Sequence, residues 1–339
     1  MDENSLDVND PGSTGVQSRV TERLLSDEAG IARAADLLRG GGLVALPTET
    51  VYGLGADATR PEAVAGIYAA KERPRFNPLI AHVAGVEAAE REGVFDDAAR
   101  RLAEAFWPGP LTLVVPAAPG CTVSDLARAG LDSLGLRVPA HPVAQGLLAQ
   151  VGRPVAAPSA NRSGRVSPTE PSHVLADLDG RIDAVLDGGV TPVGVESTIV
   201  ACLGGVPRLL RPGGVPREAI EALIGERLAG GSEGTAPLAP GMLASHYAPR
   251  ARVRLDAVRI EPGEAALLFG RIVPPGVQHA VHAVNLSERS DLAEAAARLF
   301  AALRDLDASG AATIAVAPIP EMGLGEAIND RLQRAAAER

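Results

Sequence analysis

Hydrophobic and polar positions along this chain switch repeatedly between two spacings. From Asp27 to Leu38 the apolar residues recur at helical intervals, and Gly40, Gly41 and Gly42 then stop the helix. The next segment, LVALP at 43–47, is a short apolar run of strand length. The alternation continues with a helix around 62–70, a strand LIAHV at 79–83, a helix at 97–106 and a strand LTLVV at 111–115. It goes on through GLRV at 135–138, a helix at 143–150, VAAP at 155–158, strands near 183–187, 197–203 and 208–211, and a closing helix at 216–224. Strands and helices mixed in this way predict an α/β domain with a large open, twisted sheet over residues 19–225.

Residues 226–250 break the pattern. The stretch ERLAGGSEGTAPLAPGMLASHYAPR is rich in Gly, Pro, Ala and Ser, the composition of a linker. Beyond it, ALLF at 266–269, a long amphipathic helix at 291–306, TIAVAP at 313–318 and a final helix at 325–337 predict a second, smaller α/β domain over 251–339. Residues 1–18, polar and rich in Gly, Ser and Asp, read as a flexible tail. No internal repeat is present.

Composition narrows the function. At 46% apolar the 339-residue chain can bury a sizeable core, whereas 3% aromatic residues supply little material for stacking bases. The net charge of −10 excludes a general binder of nucleic-acid backbone and leaves room only for weak or local RNA binding. A basic pocket for a small anion remains compatible with it. Cys121 and Cys202 have no metal-ligand spacing and lie among apolar residues, so they read as buried thiols. The N-terminus lacks a secretory pattern and no run approaches the roughly 20 apolar residues of a membrane helix, so a cytoplasmic location without membrane contact is expected.

Candidate chemistry clusters near the ends of the predicted strands, where open α/β sheets bind ligands. PTETVYGLGAD (47–57) offers the oxygens of Thr48, Glu49 and Thr50, with Gly53 and Gly55 freeing the backbone. KERPRFNPLIAHV (71–83) crowds Lys71, Arg73 and Arg75 into a helix-to-strand corner suited to phosphates, and adds His82 within a strand. In SLGLRVPAHP (133–142), Arg137 is a charge in an apolar strand; a small acid or a protein carboxylate would serve equally as its partner. APSANRSGRVSPT (157–169) is the densest cluster, and GVESTIV (194–200) and RLLRPG (208–213) add Ser197, Thr198 and Arg211. The chain has no GxxxxGK[ST], no dinucleotide GxGxxG, no HExxH and no GxSxG. A site with many cations and hydroxyls but no evident nucleophile works by positioning and charge stabilisation.

In this order PTETVYGLGAD, KERPRFNPLI, FWPGPLT, LRVPAHP, APSANRSG, GVESTI and LLRPG resemble the YrdC-like family of threonylcarbamoyl-AMP synthases. PGMLASHYAP (240–249) and GLGEAINDRLQRAA (323–336) are similar to the linker and the small Rossmann-like C-terminal domain of its long form. The resemblance implies that L-threonine captures bicarbonate as a carbamate, which attacks the α-phosphate of ATP and expels pyrophosphate. It implies catalytic roles for Lys71, Arg73, Ser159 and Asn161. ATP contacts fall to Lys71, Arg75, Ser133, Ser159, Ser167, Arg211 and Tyr247, and threonine contacts to Thr48, His82, Arg137, Ala157 (through its backbone) and Ser197. Mg2+ would accompany ATP. The product would pass to the tRNA threonylcarbamoyl transferase machinery, for the modified adenosine beside the anticodon of tRNAs reading codons that begin with A. Two further expectations concern proton transfer and closure: Glu49 as the acid to test as proton acceptor, and the SHYAP linker as a mobile lid.

Overall fold

The computed structural model describes residues 20–73, 77–230 and 246–337; the tail at 1–18 and most of the predicted linker therefore lie outside the described residues. In chain order the first part contains β1 (Glu22–Leu25), α1 (Glu28–Arg39), β2 (Val44–Leu46), β3 (Gly53–Asp57), α2 (Pro61–Lys71), β4 (Ile80–His82), α3 (Val86–Glu92), α4 (Asp97–Phe106) and β5 (Leu111–Pro116). It continues with α5 (Asp125–Arg128), β6 (Ser133–Arg137), α6 (Pro142–Val151), β7 (Val155–Ala156), α7 (Pro171–Leu178), β8 (Ala184–Asp187), β9 (Thr198–Ala201), β10 (Arg208–Arg211) and α8 (Arg217–Ile224). The second part holds β11 (Arg252–Arg254), β12 (Ala265–Leu268), β13 (Ala283–Asn285), α9 (Leu292–Ala308), β14 (Thr313–Val316) and α10 (Leu324–Ala336).

The first sheet has ten strands in the order β1-β8-β2-β3-β7-β4-β6-β5-β9-β10. Its pairing is mixed: β4 and β6 are parallel, β5 runs antiparallel to β6, and β9 is parallel to β5. One face is covered along its length, with Leu54, Ala81, Leu113, Leu136 and Val200 packed against Val64, Ile67, Leu102 and Ile220 from the helices. The other face is divided. Over β2, β7 and β8, Val44, Leu46, Val155, Ala184 and Leu186 pack on Ala35 and Leu38 of α1 and on Leu147 and Leu148 of α6. Over β4, β5, β9 and β10 it carries a small cluster made of strand residues alone, Ile80, Val114, Ile199, Ala201 and Leu210. That division separates a helix-packed stretch of the face from a second buried patch.

Local chemistry explains most of the elements. The Asp27 carboxylate caps α1 by accepting from the Gly30 N–H at 2.8 Å, and Gly40 closes the helix. The structure corrects the reading of 53–57. The segment is strand β3 rather than a loosened turn, and its glycines serve close approach: a Cβ on Gly55 would meet Leu46 Cδ2 at 2.7 Å. Strands β1, β11 and β13 and helices α3 and α7 carry too few periodic positions to be read from the pattern.

The second sheet is wholly parallel, in the order β11-β14-β12-β13. Its core reaches across the seam, because Leu299, Phe300 and Leu303 of α9 share one cluster with Val51, Val166, Val195 and Tyr247. Gly194, at φ 76°, touches α9 so closely that a Cβ would lie 2.4 Å from the Ala296 carbonyl oxygen. The described flanks of the linker are anchored: Ala229 bonds to Pro207 and Leu209 beside β10, and Ala248 N–H donates to Gly164 O at 2.9 Å.

Candidate active site

Strand register assembles the polar residues. His82 is registered with Arg137 across β4 and β6, and Thr112 with Ile199, itself the partner of Arg211. Registered neighbours project to the same face, so these side chains share one face of the sheet with Ile80. Because β5 and β9 run opposite to β6, their amino ends deliver Thr112 and Ser197 to the corner where β4 and β6 finish. Carboxyl ends alone would not have supplied the site.

There the structure has a cavity of about 40 Å³, bordered by residues that include Thr48, Arg73, Ile80, His82, Arg137, Ala157, Ser159, Glu196, Ser197, Arg211, His246 and Tyr247. All five residues expected to hold threonine border it. Thr48 is held in its turn by donating to Val51 O at 2.7 Å. Ser197 Oγ lies 2.8 Å from Thr112 Oγ1. Burial pushes the His82 imidazole down to about 3, so it is neutral near pH 7. Ala157 gives its N–H to Ile80 O at 3.0 Å, which fixes its backbone at the edge of the cavity.

Arg137 is already paired. Its Nη2 donates to Glu49 Oε1 at 2.7 Å, with both side chains buried, and its Nε donates to Gly109 O at 3.3 Å. Of the two partners open to it from sequence, the protein carboxylate is the one in place, leaving Nη1 for a substrate acid. Glu49 Oε2 accepts the Ala140 N–H at 3.0 Å. Each Glu49 oxygen therefore already accepts one hydrogen bond, which makes Glu49 the partner that orients Arg137.

The residues expected to handle ATP divide. Arg73, Ser159, Arg211 and Tyr247 border the cavity, whereas Lys71, Asn161, Ser167 and Ser133 do not. Lys71 is buried and donates from Nζ to the carbonyls of Ser159 (2.5 Å) and Asn161, anchoring the loop that presents Ser159. Burial, reinforced by Arg73, holds its pKa well below the usual lysine range. Burial also pushes the Arg73 guanidinium down to about 10. Asn161 donates from Nδ2 to the carbonyls of Arg162 and Arg165, both at 2.8 Å. Ser133 starts β6 on the same face as Arg137, roughly 13 Å along the strand. Arg75 falls outside the described residues.

Two cavity residues escaped the sequence reading. Glu196, which stands inside GVESTIV, accepts from Ser167 Oγ at 2.5 Å and from Arg331 Nε at 2.8 Å. Burial pushes its carboxyl up, but Arg331 and Arg211 outweigh that and hold it below the ordinary glutamate value. His246 is buried with its pKa pushed down to about 3, chiefly by desolvation. Four buried atoms at or beside the cavity have no hydrogen-bond partner among the described residues: Arg73 Nε, Asn161 Oδ1, His246 Nδ1 and Arg331 Nη2. Such atoms are uncommon in folded proteins and mark a place for a polar ligand. Both cysteines lie outside the cavity, and burial pushes the Cys202 thiol up to about 12.

Comparisons with known proteins identify the family. The Sua5–YciO–YrdC family model, described as telomere recombination, matches residues 36–213, and the model described as threonylcarbamoyl-AMP synthase, C-terminal domain, matches 215–337. Threonylcarbamoyl-AMP synthase of Bacillus subtilis (strain 168) is 42% identical over 337 residues, spanning 94% of this chain and 96% of that protein. The same-named protein of Pyrococcus abyssi is also 42% identical, over 94% of this chain and 97% of its own length. A crystal structure of P. abyssi Sua5 complexed with L-threonine superposes with a TM-score of 0.84 at 38% identity, covering 94% of this chain and 97% of that one. No helix among the described residues is long and apolar enough to cross a membrane. On its sequence, its two domains and its site, the chain belongs to the threonylcarbamoyl-AMP synthase family, in the form that carries the C-terminal domain.

Proposed function

We propose that this chain is a nucleotidyltransferase that makes threonylcarbamoyl-AMP and pyrophosphate from L-threonine, bicarbonate and ATP. One observation carries the reading: a single cavity gathers three guanidinium groups (Arg73, Arg137, Arg211), a neutral imidazole (His82) and the hydroxyls of Ser159 and Ser197. Arg137 Nη1 meets the threonine carboxylate. Three nearby positive charges disfavour a protonated amine and favour the carbamate anion that forms when the amine takes up bicarbonate and releases water. The carbamate oxygen then forms the new bond to the α-phosphorus of ATP, and the bond to pyrophosphate breaks. Arg73 and Arg211 neutralise charge on the phosphates, while Lys71 keeps Ser159 and Asn161 in place. From Arg137 to Ser133 one face of β6 runs roughly 13 Å, a reach comparable with that of a nucleotide.

Mg2+ fits the site as a passenger of ATP. Phosphate oxygens would be its main ligands; among the described residues no group of three or more His, Cys, Asp or Glu side chains is placed to hold a metal. Asn161 Oδ1, a buried oxygen without a partner among the described residues, is the protein ligand to test. When bound, the ion neutralises phosphate charge. His246 and Tyr247 act as a lid: with both in place the cavity is too small for a nucleotide, and Tyr247 sits in the left-handed region at φ 60°. The product is handed to the transferase that modifies adenosine next to the anticodon, in tRNAs reading codons that begin with A.

The test is an assay of pyrophosphate release from ATP, with threonine and bicarbonate omitted in turn and the adenylate captured. Release that needs both, with a threonylcarbamoyl adduct recovered, is the expected result. Release indifferent to threonine overturns the proposal.

A further inference from the structure

The C-terminal domain reaches into the site through one buried side chain. Arg331 of α10 is fully buried. Its Nε donates at 2.8 Å to Glu196 Oε2, 135 positions earlier in the chain, and its Nη1 donates at 2.6 Å to Asp330 Oδ2. The guanidinium carbon lies 5.2 Å from the centre of the Tyr247 ring, which stacks on Phe300 of α9 at 5.5 Å. The other oxygen of Glu196 accepts the Ser167 hydroxyl at 2.5 Å. Glu196 itself borders the cavity, and the next residue, Ser197, gives its carbonyl to Arg211 Nη2 at 2.9 Å.

We infer that Arg331 is a positioning residue for the nucleotide half of the active site, fixing Glu196 and, through it, Ser167 and the backbone that holds Arg211. This deepens the proposed function and rests on it, since Arg211 is there assigned to the phosphates of ATP. As a device for stability alone, the pair is a weak one. Desolvating two charges costs about what their attraction returns, and an apolar pair would do as well. What the ion pair adds is direction: a carboxylate with one oxygen locked from the second domain can turn neither away from Ser167 nor toward the phosphates. The electrostatics agree, since Arg331 is the foremost influence holding the Glu196 carboxyl down against burial.

The threonine end leans on this link less. Arg137 is held by Glu49 and Gly109, and Ser197 Oγ by Thr112 as well as by Arg211 Nη2 at 3.2 Å, all within the first domain. The C-terminal domain therefore acts mainly on the ATP end. It completes the nucleotide subsite as well as carrying the linker.

The experiment uses the full chain with Arg331→Lys, Arg331→Gln, Glu196→Gln and the Arg331→Gln/Glu196→Gln double variant. L-threonine binding is read by calorimetry, and kcat and KM for ATP by adenylate formation at saturating threonine. Losing a hydrogen bond between charged groups is expected to raise KM for ATP about tenfold in each Gln variant. Arg331→Lys should recover part of this, and the double variant should be little worse than either single one, the mark of two residues acting as a unit. Threonine affinity should stay within about twofold, and kcat should move less than KM. A folded Arg331→Gln protein with unchanged KM for ATP, or with threonine and ATP weakened alike, overturns the inference. Should that variant fail to fold, Glu196→Gln and Arg331→Lys decide the question by the same readouts. Native protein that forms no adenylate overturns the proposed function and this inference with it, whereas a negative result confined to the variants overturns the inference alone.

Discussion

The two ends of the cavity are built on different plans. Around Arg137 nearly every polar group already has its partner: Glu49 and Gly109 take the guanidinium, Ala140 takes the second Glu49 oxygen, and Thr48 closes its own turn. All of these residues come from one domain. Around Arg73 and Tyr247 the picture is reversed, with buried atoms of Arg73, Asn161 and His246 lacking partners among the described residues and with Glu196 held from the other domain. A small amino acid meets a finished socket. A long, flexible, highly charged nucleotide meets groups that close on it, which lets binding energy drive closure and exclude water from a labile intermediate.

The sharpest way to break this comparison is to unmake the finished end. Glu49→Ala leaves Arg137 buried without its carboxylate and orphans the Ala140 N–H, and stranding a buried charge costs about 3–5 kcal/mol. Urea denaturation should show a loss of that order together with loss of threonine binding. Glu49→Gln keeps the shape of the site and two polar contacts. The pH profile of its turnover should match that of the native protein, because Glu49 orients Arg137 and moves no proton.

Acid separates the two ends next. His82 has a pKa of about 3 in the folded chain against about 6.5 when unfolded, and burial is the cause. Below pH 6.5 the unfolded chain therefore binds a proton that the folded chain refuses, so stability falls as pH drops toward 3. Between pH 6.5 and 5 this amounts to about 2 kcal/mol for one histidine. His246 is likewise held at about 3, yet on the proposed lid it would reach water by opening, whereas His82 lies inside β4. In urea titrations at pH 7, 6 and 5, His82→Gln should flatten the acid loss by about that amount. His246→Gln should flatten it distinctly less. Equal effects would mean that the lid is as firmly closed as the sheet.

Much of this molecule could be read along the chain. Strands β2, β4, β5 and β6 follow from apolar runs, and the five residues that the family resemblance assigns to threonine all border one cavity. What escaped has a common cause. Arg137 finds Glu49 at 88 positions' distance and Arg331 finds Glu196 at 135, and no local period encodes such partners. Arg331 stands in an amphipathic helix, where a charge reads as solvent-facing until a second domain covers it. The glycines of β3 read as a turn because the need for close approach is visible only once Leu46 and Val155 are in place.

The smallest expected effect is the most useful control on the role of the second domain. Arg217 and Glu326 also bridge the seam, with Nε to Oε1 and Oε2 at 3.1 and 3.2 Å. Their side chains keep 32% and 27% exposure, and neither borders the cavity. An ion pair this wet is worth about 0.2–1 kcal/mol. Arg217→Ala should therefore shift the urea midpoint slightly and leave both threonine binding and KM for ATP where they were. If it raised KM for ATP as much as Arg331→Gln does, any loosening of the seam would suffice, and the selective reach of Arg331 into the nucleotide end would reduce to ordinary domain docking. A clean separation of the two variants instead assigns the effect to one buried guanidinium and the carboxylate it holds.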